Sequence, residues 1–185
     1  SDIKANQFLC LAPNVYDGIY RKRLVNYKFM NKKYYSENMS VLMYRCMNNY
    51  FGKYEGFDLI TYVPMDRQRE RERGYNQSRL LAENLSELMG IPVSELLIKV
   101  KKNQIQHDIK DVEIRRKNVL GVYEEQGDII GKRILLIDDI ITTGSTIGEC
   151  AKTLYQAGAE YVAGLCAADV RSNISSSQEF ENGQV

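Results

Sequence analysis

The stretch from Arg133 to Thr146, R-I-L-L-I-D-D-I-I-T-T-G-S-T, constrains the fold of this chain more than any other. Ile134 to Ile137 is a continuous apolar run of the kind that forms a central parallel strand, buried on both faces. Asp138 and Asp139 sit at its end, and Thr142 to Thr146 is a turn of small residues. Gly144 to Ala157 then has helical periodicity, with Ile147, Cys150, Ala151 and Leu154 on one side and Gly158 as the stop. Tyr161 to Ala168 is a further buried strand.

Upstream, Asp58 to Val63 is a short β-rich run closed by Pro64. Asn76 to Met89 is a helix with Leu81, Leu85, Leu88 and Met89 as its apolar stripe, ended by Gly90 and Pro92. The order strand, helix, strand, helix, strand predicts an α/β fold with a parallel sheet flanked by helices. Ile91 to Val100 fits a strand or a short helix. The first fifteen residues show no period and are expected to be irregular. Two helical patterns are expected between Gly18 and Asn49, the clearer one carrying Met39, Leu42, Met43, Cys46, Met47 and Tyr50. The expected organisation is an N-terminal helical hood over residues 1–56, the main domain over 57–171, and a Ser/Asn/Gln-rich disordered tail over 172–185.

Composition narrows the function classes. The 185 residues carry 25 Lys+Arg against 24 Asp+Glu, a net charge of +1, which argues against a bulk nucleic-acid binder. Val15 to Glu55 is a local exception, with eight basic residues, three acidic ones and eight of the 13 tyrosines. Such interleaving can hold single-stranded nucleic acid. It equally suits a helical pair whose tyrosines pack while its lysines stay solvated, and that reading is preferred, so direct DNA binding is not expected. No run of 18 apolar residues occurs and no secretory signal pattern opens the chain, so a cytoplasmic protein without a membrane span is expected. Cys10, Cys46, Cys150 and Cys166 include no C-x-x-C pair and read as reduced thiols.

The strand–turn–helix has a specific chemistry. The carboxyl edge of an open parallel sheet is where ligands bind. Thr142, Thr143, Gly144, Ser145 and Thr146 would offer backbone N–H groups, hydroxyls and a positive helix end to an anion, and Gly144 lets a phosphate approach the backbone. Carboxylates beside an anion cradle suit a ligand with hydroxyls as well as phosphate, as a ribose 5-phosphate has. No lysine follows the glycine, which excludes a Walker A loop. The competing reading is a plain strand–turn–helix in which Asp139 merely caps the helix.

The stretch Ile134 to Thr146 resembles the 5-phosphoribosyl pyrophosphate (PRPP) motif of type I phosphoribosyltransferases. Tyr16-Asp-Gly18, Tyr27-Lys-Phe29, Val63-Pro64, Arg71 to Gln77 and Arg115-Arg-Lys-Asn-Val119 extend the likeness to the ComF family of competence-associated phosphoribosyltransferase-like proteins. The resemblance implies a type I phosphoribosyltransferase-like fold that binds PRPP with Mg²⁺ and displaces pyrophosphate at the ribose C1. Asp138 and Asp139 would be the catalytic, ribose-holding pair, and Thr142 to Thr146 would hold the 5-phosphate. It also implies a link to DNA uptake alongside a helicase-like partner. Many ComF proteins carry a cysteine-rich zinc segment at the N-terminus. Only Cys10 lies in that region here, so the chain is read as truncated or zinc-free, with no zinc site of that kind.

Asp66 to Gly74 places arginines at positions 67, 69, 71 and 73, which an extended loop would point one way. The resemblance puts pyrophosphate on this loop, with Arg71, Arg73 and Gly74 as its contacts. Gln104, Gln106, His107, Arg115 and Arg116 match the loop that closes over PRPP in related enzymes. His107 is the sole histidine, and a solvated role is preferred over proton donation. Purine-salvage relatives place an aspartate where this chain has Thr142, so their base contact does not carry over and the acceptor is unassigned. A non-catalytic PRPP-sensing or scaffold protein is the rival expectation.

Overall fold

The computed structural model describes residues 9–13, 32–51, 56–100 and 122–169. The first of the two expected N-terminal helices, the loop residues Gln104, Gln106, His107, Arg115 and Arg116, and the tail lie outside these residues. In chain order the elements are β1 (Cys10–Leu11), α1 (Lys32–Phe51), β2 (Leu59–Tyr62), α2 (Arg67–Arg73), α3 (Gln77–Met89), β3 (Leu97–Lys99), β4 (Tyr123–Glu125), β5 (Arg133–Ile141), α4 (Ser145–Gln156) and β6 (Tyr161–Asp169).

The main sheet runs β1-β6-β5-β2 with every pair parallel, so β5 is central. Its apolar run alternates between two cores. Ile134 and Leu136 pack with Ile147, Cys150 and Leu154 of α4, whereas Leu135 and Ile137 pack with Met43 of α1 and Leu81 and Leu85 of α3. Burial on both faces is why the run is continuous rather than alternating.

Two expectations about this architecture are corrected. The first fifteen residues are not wholly irregular, because Cys10 and Leu11 pair in parallel with Gly164 and Leu165 at the sheet edge. Two residues are too short to show a period of two. On α1 the buried stripe is Ser36, Met39, Ser40, Met43 and Met47, while Leu42 and Tyr50 are exposed by 39% and 60%. The serines occupy packed positions because they bond to α3. Ser40 donates to the Leu81 carbonyl at 3.3 Å, and the Asn84 amide donates to the Ser36 hydroxyl at 3.0 Å.

The undecided stretch from Ile91 to Val100 is extended. Val93 bridges Ile60 in parallel, and Leu97 to Lys99 then pairs antiparallel with Tyr123 to Glu125 in a second, two-stranded sheet. Leu97 and Tyr123 of that sheet, with Leu96 just before it, join the α4 core. No described helix is long and apolar enough to cross a membrane.

Candidate functional site

A cleft of about 270 Å³ opens at the carboxyl ends of β2 and β5. The two strands stay paired to their ends, where the Val63 N–H donates to the Ile137 carbonyl at 2.9 Å. β5 runs to Ile141, so both aspartates lie within the strand and line the cleft. Asp138 is 8% exposed. Its Oδ1 accepts from the Ser78 hydroxyl at 3.0 Å and from the Asp139 N–H at 2.9 Å. Burial, and then the charge of Asp139, push its carboxyl up to about 7. Asp139 is half-buried, and its Oδ1 accepts from the Ile140 N–H at 2.8 Å. It therefore does not cap α4.

The cap of α4 is Gly144, at φ 80° and ψ −3°, with no side-chain cap bond. A left-handed residue here favours glycine independently of any ligand. The Thr143 hydroxyl accepts from the Ser145 N–H at 3.2 Å and lies 2.8 Å from the Ser145 hydroxyl. Within the turn, Thr146 lines the cleft and hydrogen-bonds to the Tyr123 phenol, whereas Thr142, Thr143, Gly144 and Ser145 do not line it.

The arginine segment differs from the extended loop expected of it. Residues 67–73 form helix α2, so the four arginines do not share a direction. The Asp66 carboxylate caps it, accepting from the Gln68 N–H at 2.9 Å and the Arg69 N–H at 3.4 Å. Gln68 donates to Glu72 one turn on at 3.1 Å, and Gly74 ends the helix at φ 76° with its N–H on the Glu70 carbonyl. Helical spacing puts Arg69 and Arg73 one turn apart on the cleft side. Arg73 thus lines the cleft that holds Asp138. Arg71 and Gly74 are exposed and do not line the cleft, and Arg69 does instead.

Sequence reasoning also missed Lys99 and Tyr123, which line the cleft from the small sheet. They are cross-strand partners, with the Lys99 Nζ 6.0 Å from the Tyr123 ring centroid. No sequence signal joins two residues so far apart until their pairing is known. Burial pushes the Tyr123 phenol well above its usual range, which keeps it a neutral hydroxyl. The cleft therefore has an acidic floor at Asp138 and Asp139, the first turn of α4 at one side through Thr146, and Arg69, Arg73 and Lys99 around it.

Residues 76–179 match the phosphoribosyl transferase domain family. Competence protein F of Haemophilus influenzae is 30% identical over 141 residues, covering 74% of this chain. Competence protein ComFC of Streptococcus pneumoniae is 36% identical over 110 residues, and DNA utilization protein YhgH of Escherichia coli K12 is 32% identical over 110, covering 60% and 59% of this chain. The chain belongs to the phosphoribosyl transferase domain family, in its ComF branch. It spans 62% of the Haemophilus protein and about half of the other two, at 47% and 48%. Among solved structures, the allosteric regulatory enzyme of purine biosynthesis aligns with a TM-score of 0.50 at 23% identity, over 71% of this chain and 25% of that one. That likeness is one of fold, a type I phosphoribosyltransferase sheet flanked by helices. In this ComF chain the matched region opens at Asn76, the residue that starts α3 beside the cleft.

Proposed function

We propose that this ComF protein binds PRPP and displaces its pyrophosphate at the ribose C1. The observation that carries the reading is the convergence on one cleft of a carboxylate pair, a glycine-capped helix start and two arginines. Asp138 and Asp139 accept the ribose hydroxyls. The N–H groups of the first turn of α4, with Thr146, take the 5-phosphate. Arg69 and Arg73 hold the pyrophosphate, whose oxygens suit guanidinium forks.

Mg²⁺ fits these residues as an ion carried with the substrate. The ion would be held by phosphate oxygens of PRPP, and the negative charge on the cleft floor at Asp138 and Asp139 would favour a cation arriving with the substrate. When bound, Mg²⁺ would supply positive charge to the departing pyrophosphate beside Arg69 and Arg73.

Thr142 supplies no carboxylate to an acceptor base. That favours, as a second reading, a ComF protein that senses PRPP without transferring the ribosyl group. The names of the relatives support a role in competence or DNA use for either reading, in the cytoplasm beside a helicase-like partner as the family resemblance suggests. Calorimetric titration of PRPP with and without Mg²⁺, followed by pyrophosphate release with candidate acceptors, separates them. Binding without release in the presence of any acceptor favours sensing, and no binding under either condition refutes both.

A further inference from the structure

Asn76 and Ser78 open α3 as buried polar residues, 4% and 5% exposed. Burial of such groups is unfavourable unless each finds a partner, and these two form a chain. The Asn76 amide donates to the Val63 carbonyl at 3.2 Å, and the Ser78 N–H donates to Asn76 Oδ1 at 3.0 Å. The Ser78 hydroxyl then donates to Asp138 Oδ1 at 3.0 Å. Three hydrogen bonds thus connect the end of β2 to the end of β5 through the first turn of α3. The buried hydroxyl is accounted for by its acceptor on Asp138.

The Asp139 N–H reaches the same Asp138 oxygen, so both donors fall on Oδ1 and neither engages Oδ2. The last torsion of a carboxyl side chain is soft, and a second donor from another element fixes it. We propose that Ser78 is a positioning residue for Asp138, holding the carboxyl so that the cleft favours a ribose diol over bare phosphate. The ligand part rests on the function proposed above. A donated hydrogen bond also favours the ionised carboxyl, opposing burial, the charge of Asp139 and the hydrogen bond between the two carboxyl groups. Tyr123 of β4, Cys150 of α4 and Cys166 of β6 also face Asp138, and Arg69, Arg73 and Lys99 are the cations lining the cleft.

The test uses the full chain with S78A and S78T, titrated calorimetrically with ribose 5-phosphate and with inorganic phosphate. The Asp138 carboxyl is followed by carbon NMR against pH. S78A is expected to weaken ribose 5-phosphate about tenfold, the scale of one charge-assisted bond, and to leave phosphate within about twofold. S78T, which keeps the hydroxyl, restores ribose 5-phosphate binding. The Asp138 midpoint moves up by about half a pH unit or more in S78A. Equal weakening of both ligands, an unmoved midpoint, or an S78A chain that no longer folds while S78T does overturns the proposal and leaves Ser78 structural. A wild-type chain that binds no sugar phosphate refutes the proposed function instead, and the carboxyl midpoint then decides the role of Ser78.

Discussion

Two helices start beside the cleft, and they are finished differently. At α3 the Asn76 carboxamide accepts from the N–H groups of Ser78 and Arg79 at 3.0 and 3.4 Å, so side-chain oxygen takes up the first free donors. At α4 the cap is a glycine with no side-chain cap bond, and a hydroxyl from Thr143 reaches only the Ser145 N–H. A side-chain cap stabilises a helix by neutralising the donors an anion would use. A bare start forgoes that stability and leaves the donors available. On the proposed function, this difference makes α3 the anchored wall of the cleft and α4 the side that takes the phosphate.

The comparison breaks first at the carboxylates. Asp138→Asn with Asp139→Asn is expected to weaken PRPP by about 100-fold or more, on the scale of two lost hydroxyl contacts to charged groups, while inorganic phosphate binding survives. Calorimetry checks both ligands, and an unchanged PRPP dissociation constant removes the aspartates from the site.

Gly144→Val tests the bare start. A β-branched residue at φ 80° is strained, so the melting temperature falls and ribose 5-phosphate and PRPP weaken together by about tenfold or more. Asn76→Ala at the capped start is the counterpart, expected to lower stability by about 1 kcal/mol in denaturant melts and to spare phosphate binding. If Asn76→Ala weakens phosphate as strongly as Gly144→Val, the division between the two helix starts is wrong.

The arginine helix separates more finely. Arg73→Ala and Arg69→Ala should each weaken pyrophosphate and PRPP about tenfold and spare ribose 5-phosphate, whereas Arg71→Ala moves none of the three by more than about twofold. Competition binding with pyrophosphate distinguishes these outcomes.

The smallest effect is on stability against pH. Asp138 is raised to about 7 in the folded chain, so the folded state binds the proton more tightly than the unfolded one. The contribution of that proton is full below about pH 4 and is lost as pH rises toward 7. Asp138→Asn should therefore gain on wild type by about 1–2 kcal/mol between pH 5 and pH 8. Denaturant melts at the two pH values measure the gain, and a constant difference between the proteins contradicts a buried, raised Asp138.

The same contrast explains what could be read from the sequence. The β5–α4 unit was legible because every residue from Ile134 to Gly158 contributes to one local pattern of apolar run, carboxylates, small turn and amphipathic helix. The β2–α3 unit was legible only at its ends. Arginines at every second position invite an extended reading, yet Asp66 and Gly74 bracket them as helix cap and stop, signals that outweigh the alternation in seven residues. Ser78 and Lys99 were not legible, since their site partners lie 60 residues away in sequence for Ser78 and across a ladder to Tyr123 for Lys99. The two-residue β1 was not legible either, because its pairing with Gly164 is the only thing that makes it a strand.

The strand order β1-β6-β5-β2 has a further consequence, for the time course of folding. Only β5 and β6 are near in sequence, joined through α4, whereas Leu59 of β2 waits for Ile134 and Cys10 of β1 waits for Gly164. Loop closure over such spans is slow, so the β5–α4–β6 unit forms early and the flanking strands add to it afterwards. Translation at about 5–20 residues per second leaves β2 without its neighbour for about 4–15 seconds on the ribosome. The unit bearing the aspartates and the glycine cap is then the template on which the rest of the sheet assembles, so Gly144→Val is expected to slow refolding as well as weaken ligand, which stopped-flow refolding checks.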